Sequence, residues 1–269
     1  MLEVTLLKVL HQGVDEARKL LPFIQQTDVF SPEFPGFSER DVETLEKEWE
    51  QLISSGISRS EYDREAERFL QLNCFGKLTI NYIRTLRSYL FRSKIPLWHL
   101  GRLKDEDMKR LFSLKALKDR RTSEGFEFLH KGEVETFLRT YEEITSIDYE
   151  AMEMRDRNIA ENIANAEDRI RERFPGLKRV EPLRLTAFLG ACHSPERYSS
   201  FPIKTHLLDS AFEQDEWTRA KIERRPFKEH VPHILRYGAL YLIEARRLDL
   251  TRAEVEKMSP TELYELLKR

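Results

Sequence analysis

The sequence predicts an α/β fold: a small, mostly parallel sheet built from βαβ units, with flanking helices and a large helical insertion. Three observations carry this. The run Leu183–Leu189 is nearly continuous in apolar residues, the pattern of a strand covered on both faces, as parallel strands are. Near the start, Val4–Leu10 and Thr27–Glu33 are strand-like runs flanking a segment of helical period, which makes a βαβ unit whose strands run parallel. Between residues 39 and 150 the texture turns charged and helix-favouring, a change in composition that reads as an insertion. We therefore expect one domain over 1–269, a helical insertion over 39–150 and a helical carboxyl-terminal extension over 205–269.

Each element has a local justification. The first helix follows from Val14, Ala17, Leu20, Leu21 and Ile24, which fall on one face at a spacing of three or four. In the insertion, Ser38 with Asp41 resembles a capping box opening a helix through Leu52; Ser58 with Glu61, and Thr79, open the next two. Pro96 breaks the pattern, Lys104–Lys118 resumes it, and Gly125 and Gly132 are expected to interrupt it. A long helix from Tyr149 to Phe174 carries the stripe Ile159, Ile163, Ala166, Ile170 and Phe174, and Pro175-Gly176 stops it, with Gly176 suited to a left-handed cap. The last third reads as a helix over Val231–Leu248, a capping box at Thr251 and Glu254, and a final helix begun by Ser259-Pro260.

Ligands in parallel α/β sheets gather outside the carboxyl ends of the strands. His11 follows the first strand, Glu33 ends the second, and Gly190-Ala191-Cys192-His193 closes the third, so their side chains are expected at one edge. Arg155 lies one turn before Ile159 on the apolar stripe and is expected to face inward, beside Asp156. Histidine nitrogen and carboxylate oxygen suit zinc, manganese or iron; a metal would acidify water, and Arg155 would hold a substrate carboxylate or a developing oxyanion. The competing structural explanation is that the histidines are hydrogen-bonded loop residues, Glu33 a cap, and Arg155 the counter-charge of Asp156.

These residues resemble the TraB/Tiki family within the EreA/ChaN-like superfamily. There, a histidine follows the first strand, glutamate ends the second, a helix carries a Glu-Arg-Asp-x-x-Met-Ala-like signature, and a later strand ends in Gly-Ala-Gly-His. Here the corresponding pieces are His11, Thr27–Glu33, Met154–Ala160 and Gly190–His193. The resemblance implies a divalent-metal hydrolase of an amide or ester bond using manganese or zinc. His11, Glu33 and His193 would be ligands, with Glu33 and Arg155 in catalytic roles. The chain differs in carrying Lys8, Met154 and Cys192 where the family favours glycine, glutamate and glycine. The alternative is a non-catalytic member that keeps the pocket for a small ligand or partner.

Composition bounds the partners. With 45 basic against 47 acidic residues, bulk charge makes no case for nucleic acid. Charged residues are 34% of the chain, above the usual ~25%, which fits long solvated helices. Two cysteines, Cys74 and Cys192, indicate a reducing compartment rather than a disulfide framework. No apolar stretch is long enough to span a bilayer and the amino terminus lacks signal features, so the expectation is a cytoplasmic protein acting on a peptide or small molecule, with no membrane or nucleic-acid partner. The insertion reads as a grip over the strand ends, or else as a structural cover or homodimer surface. Four lesser features remain. The basic cluster Lys115–Arg121 reads as a solvated helix face and Trp98-His99 as a packed turn, while His230 with His233 is a weak metal motif and His206 a somewhat better one.

Overall fold

Strands β1 (Leu2–Val9), β2 (Val29–Ser31), β3 (Leu183–Gly190) and β4 (Ile203–Leu207) form one sheet in the order β2-β3-β1-β4, every pair parallel. This is a computed structural model, and it describes residues 1–9, 14–32, 38–56, 89–190, 192–208, 219–221 and 223–268, together with Glu61 and Arg64. The α/β fold with a small parallel sheet is as the sequence predicts. Helix α1 (Val14–Ile24) crosses from β1 to β2, and β2 lands beyond β3 rather than beside β1. The near-continuous apolar run of β3 explains the order: a strand apolar on both faces belongs inside the sheet.

Alternation along the strands feeds two layers. Leu7, Phe30 and Phe188 pack with Leu20 and Ile24 of α1, with Trp49 of α2 (Glu39–Ser54), and with Leu90. On the other face, Val4, Leu6, Leu185, Ala187 and Leu189 pack with Ile159, Ile163, Ala166 and Ile170. The outer side of β2 is covered by the segment after Pro96. Phe30 N donates to Pro96 O (3.0 Å), Trp98 N to Phe30 O (2.9 Å) and Leu100 N to Ser31 Oγ (2.8 Å).

The chain gathers into two compact units, residues 1–108 with 154–213, and 109–153 with 214–269. The first holds the sheet. The second is helical, drawn from α3 (Asp105–His130), α4 (Val134–Ala164), α6 (Val231–Glu244), α7 (Arg252–Lys257) and α8 (Pro260–Leu267). Phe137, Leu235, Ala239, Val255, Leu263 and Leu267 lie in its core. Both α7 and α8 open with full capping boxes, Thr251 with Glu254 and Ser259 with Glu262.

Several boundaries differ from the sequence reading. The long helix begins at Val134, ends at Ala164 and restarts as α5 (Ala166–Arg173), yet its stripe Ile159, Ile163, Ala166 and Ile170 is buried as predicted. Gly176 makes no left-handed cap; it sits in a short 3-10 turn, Pro175–Leu177, with no positive φ. Gly125 does not interrupt α3. It permits close approach, since a Cβ there would meet the Tyr141 ring at 3.3 Å. Gly132 does break the chain, at φ +74. His206 lies within a fourth strand, exposed, its ring 5.1 Å from that of Phe23. The helix starts assigned to Ser58 and Thr79 lie outside the described residues.

Candidate functional site

Just past the carboxyl end of β3, His193 N donates to Gly190 O at 3.0 Å. There the imidazole meets Asp156. His193 Nδ1 lies 2.7 Å from Asp156 Oδ1, and Ser194 N donates to Asp156 Oδ2 at 3.0 Å. Asp156 is wholly buried and His193 is 4% exposed. A carboxylate accepts only, so the ring nitrogen facing Asp156, Nδ1, carries a proton.

Asp156 reaches this position because α4 places it with Ala160 and Ile163, at spacings of four and three, on a buried face. The sequence reading gave the inward place to Arg155, which is half-buried. Asp156 is the deeply buried member, and the buried partner it holds is His193. The i, i+4, i+7 series from Asp156 was the available signal. His11 and Glu33 lie outside the described residues. Among the described residues, no group of three or more His, Cys, Asp or Glu side chains is placed to hold a metal ion.

A lysine–glutamate ion pair lies at the same end of the sheet. Lys8 pairs in register with Leu189, and alternation puts it on the face of Val4 and Leu6. Its side chain is nine-tenths buried and Nζ donates to Glu196 Oε1. Glu196 comes from the 3-10 turn Pro195–Arg197, three residues after His193. Its other oxygen, Oε2, is buried with no hydrogen-bond partner among the described residues.

The same unit holds a larger buried network, whose His99 lies between residues bonded to Phe30 and Ser31 at the end of β2. Glu46, fully buried on α2, accepts from His99 N (2.7 Å) and Arg102 Nη2 (2.9 Å), with His99 Nδ1 3.0 Å away; Arg173 Nη1 reaches its other oxygen. Burial alone would push the Glu46 carboxyl up; the His99 hydrogen bond and the Arg102 charge together outweigh it and hold the group below its ordinary range. Arg102 lies over the Trp98 ring at 3.9 Å. Trp98 and His99 are thus packed, as the sequence suggested, and nothing in the spacing of Glu46, His99, Arg102 and Arg173 announced that they would meet.

The weaker motifs resolve elsewhere. His230 is buried in the helical unit, with Nε2 2.8 Å from Tyr149 Oη and 3.1 Å from Arg225 O. Burial is the chief cause holding it below the usual imidazole value. In the basic cluster, Lys118 pairs with Asp148 and Arg121 with Glu124 and Glu143. No helix among the described residues is long and apolar enough to cross a membrane.

Comparison with protein-family models, curated proteins and solved structures finds no match. The chemistry of the site therefore carries the functional reading.

Proposed function

We propose that this chain is a hydrolase of the TraB/Tiki type, cleaving an amide or ester bond at the carboxyl edge of its sheet, with His193 at the centre. The buried Asp156–His193 pair carries this reading. An imidazole tied through Nδ1 to a carboxylate has a fixed tautomer, a fixed ring plane and a more basic Nε2, which is the outer support that metal-binding and proton-transferring histidines share. Both Asp156 oxygens are engaged, so Asp156 positions His193 and does not itself face substrate.

His193 fits a divalent site by its donor chemistry, and His11 and Glu33 are the further donors this reading assigns, to manganese or zinc. Such an ion, when bound, supplies an acidified water and a polarised carbonyl. In the hydrolysis, water oxygen joins the carbonyl carbon, the C–N or C–O bond breaks, and the leaving atom departs with a proton. Arg155, one residue before Asp156 on α4, is assigned to the charge that develops on the carbonyl oxygen. The substrate is a peptide or small molecule, and two cysteines in the chain favour a reducing, cytoplasmic setting. The second reading, a non-catalytic ligand-binding member, is favoured by the Lys8–Glu196 pair at the same edge.

Elemental analysis of wild type, His11→Ala, His193→Ala and Asp156→Asn after dialysis against manganese or zinc tests the reading. Near-stoichiometric metal should be present in wild type and lost in both alanine variants. Asp156→Asn should bind about 10- to 100-fold more weakly. Metal-free wild type that turns over neither amides nor esters would overturn the proposal.

A further inference from the structure

The Lys8–Glu196 pair has hydrogen-bonding capacity that the fold does not use. An ammonium has three donors, and among the described residues Lys8 Nζ engages Glu196 Oε1. Among the described residues, Glu196 Oε2 is buried with no hydrogen-bond partner. Buried polar atoms are normally satisfied, so an unmatched acceptor beside a nine-tenths-buried ammonium calls for a ligand group. The two charges cancel, so the pair has no net attraction for an anion or a cation. It suits a neutral group bearing an acceptor and a donor side by side.

We propose that Lys8 and Glu196 form a subsite for a primary carboxamide, which names the substrate class of the hydrolytic centre above and rests on that reading for its place in catalysis. The carbonyl oxygen accepts from Lys8 Nζ, and the N–H syn to it donates to Glu196 Oε2. In a trans secondary amide the N–H points away from the carbonyl oxygen, so one peptide group cannot meet both partners. An ester has no donor, and a carboxylate would face Glu196 with like charge. Primary carboxamides alone among these acyl groups match the pair on one edge. Hydrolysis would add water across the C–N bond and release ammonium and a carboxylate.

The test uses acetamide, N,N-dimethylacetamide and methyl acetate with the full chain, reading thermal stabilisation for binding and product release for turnover. Acetamide should bind at least about tenfold more tightly than the other two, since a site built for a donor rejects analogues that lack it. Glu196→Gln keeps the shape but, with its remaining carbonyl oxygen held by Lys8 Nζ, turns an NH2 donor to the ligand in place of an acceptor; it should erase that preference, as should Lys8→Met. Selective acetamide binding without turnover of any of the three would uphold the subsite and sink the hydrolase reading. Turnover of ester and amide with no preference, or a preference unchanged in Glu196→Gln, would overturn the subsite and leave the hydrolase standing. No binding of acetamide also overturns it.

Discussion

Replacing Glu46 with glutamine should be among the most damaging single changes in the sheet-bearing unit. Glu46 is fully buried, and Arg102, 5% exposed, has no other carboxylate within ion-pair distance among the described residues. Arg173 is less dependent, because it also pairs with Glu50 at 2.7 Å. Glu46→Gln keeps the volume but removes the charge and turns an amide NH2 toward a donor. Breaking a buried pair from one side costs about 3–5 kcal/mol, because the remaining charge is left uncompensated. Urea denaturation followed by tryptophan fluorescence reports on this directly, since Trp98 stacks on Arg102 and Trp49 Nε1 donates to Ile95 O nearby. The double variant Glu46→Gln with Arg102→Met should lose clearly less than the sum of the two single changes, by more than about 1 kcal/mol. A cost below about 1 kcal/mol for Glu46→Gln, or strict additivity in the cycle, would refute the account of a buried charge held by its partner. The depressed Glu46 carboxyl gives the same network a pH signature. Its stabilisation is present above the ordinary glutamate pKa and is lost as pH falls through the lower native value.

Two further outcomes follow from the helical unit. Gly132 holds φ +74, and a Cβ there would meet Lys268 O at 2.9 Å; Gly132→Ala should therefore cost more than about 1 kcal/mol, read as a lowered Tm, while Gly56→Ala, with φ +66 and open space, should cost less. His230 is held below its ordinary value of 6.5 mainly by burial. The unfolded chain therefore takes up a proton before the native one does, and stability should fall as pH drops from about 7 to about 5. His230→Gln should flatten that part of the Tm profile, and an unchanged profile would show that His230 is not responsible.

The parallel sheet was legible because it rests on one-dimensional patterns. The apolar run of β3 declares a strand covered on both faces, and the period of α1 and of the Ile159–Ile170 stripe declares which side of each helix is buried. Gly125 misled because a glycine inside a charged helical run is indistinguishable from a break until the Tyr141 ring that occupies its missing side chain is known. The fourth strand escaped notice because Ile203–Leu207 is exposed along most of its length and so lacks an apolar signature.

Of the site, sequence alone determined that His193 would close a buried strand and that α4 would bring Arg155 and Asp156 to the same layer. Order along the chain and helical period suffice for that. Which of those two neighbours is buried was decided by tertiary packing, because adjacent helix positions differ by about 100° and only the completed face with Ala160 and Ile163 selects one. The partnerships of Lys8 with Glu196 and of Glu46 with Arg102 and Arg173 also belong to the fold. Their members are separated by 56 to 188 positions, and charge carries no periodic signal by which a carboxylate in one element announces the cation that will meet it from another.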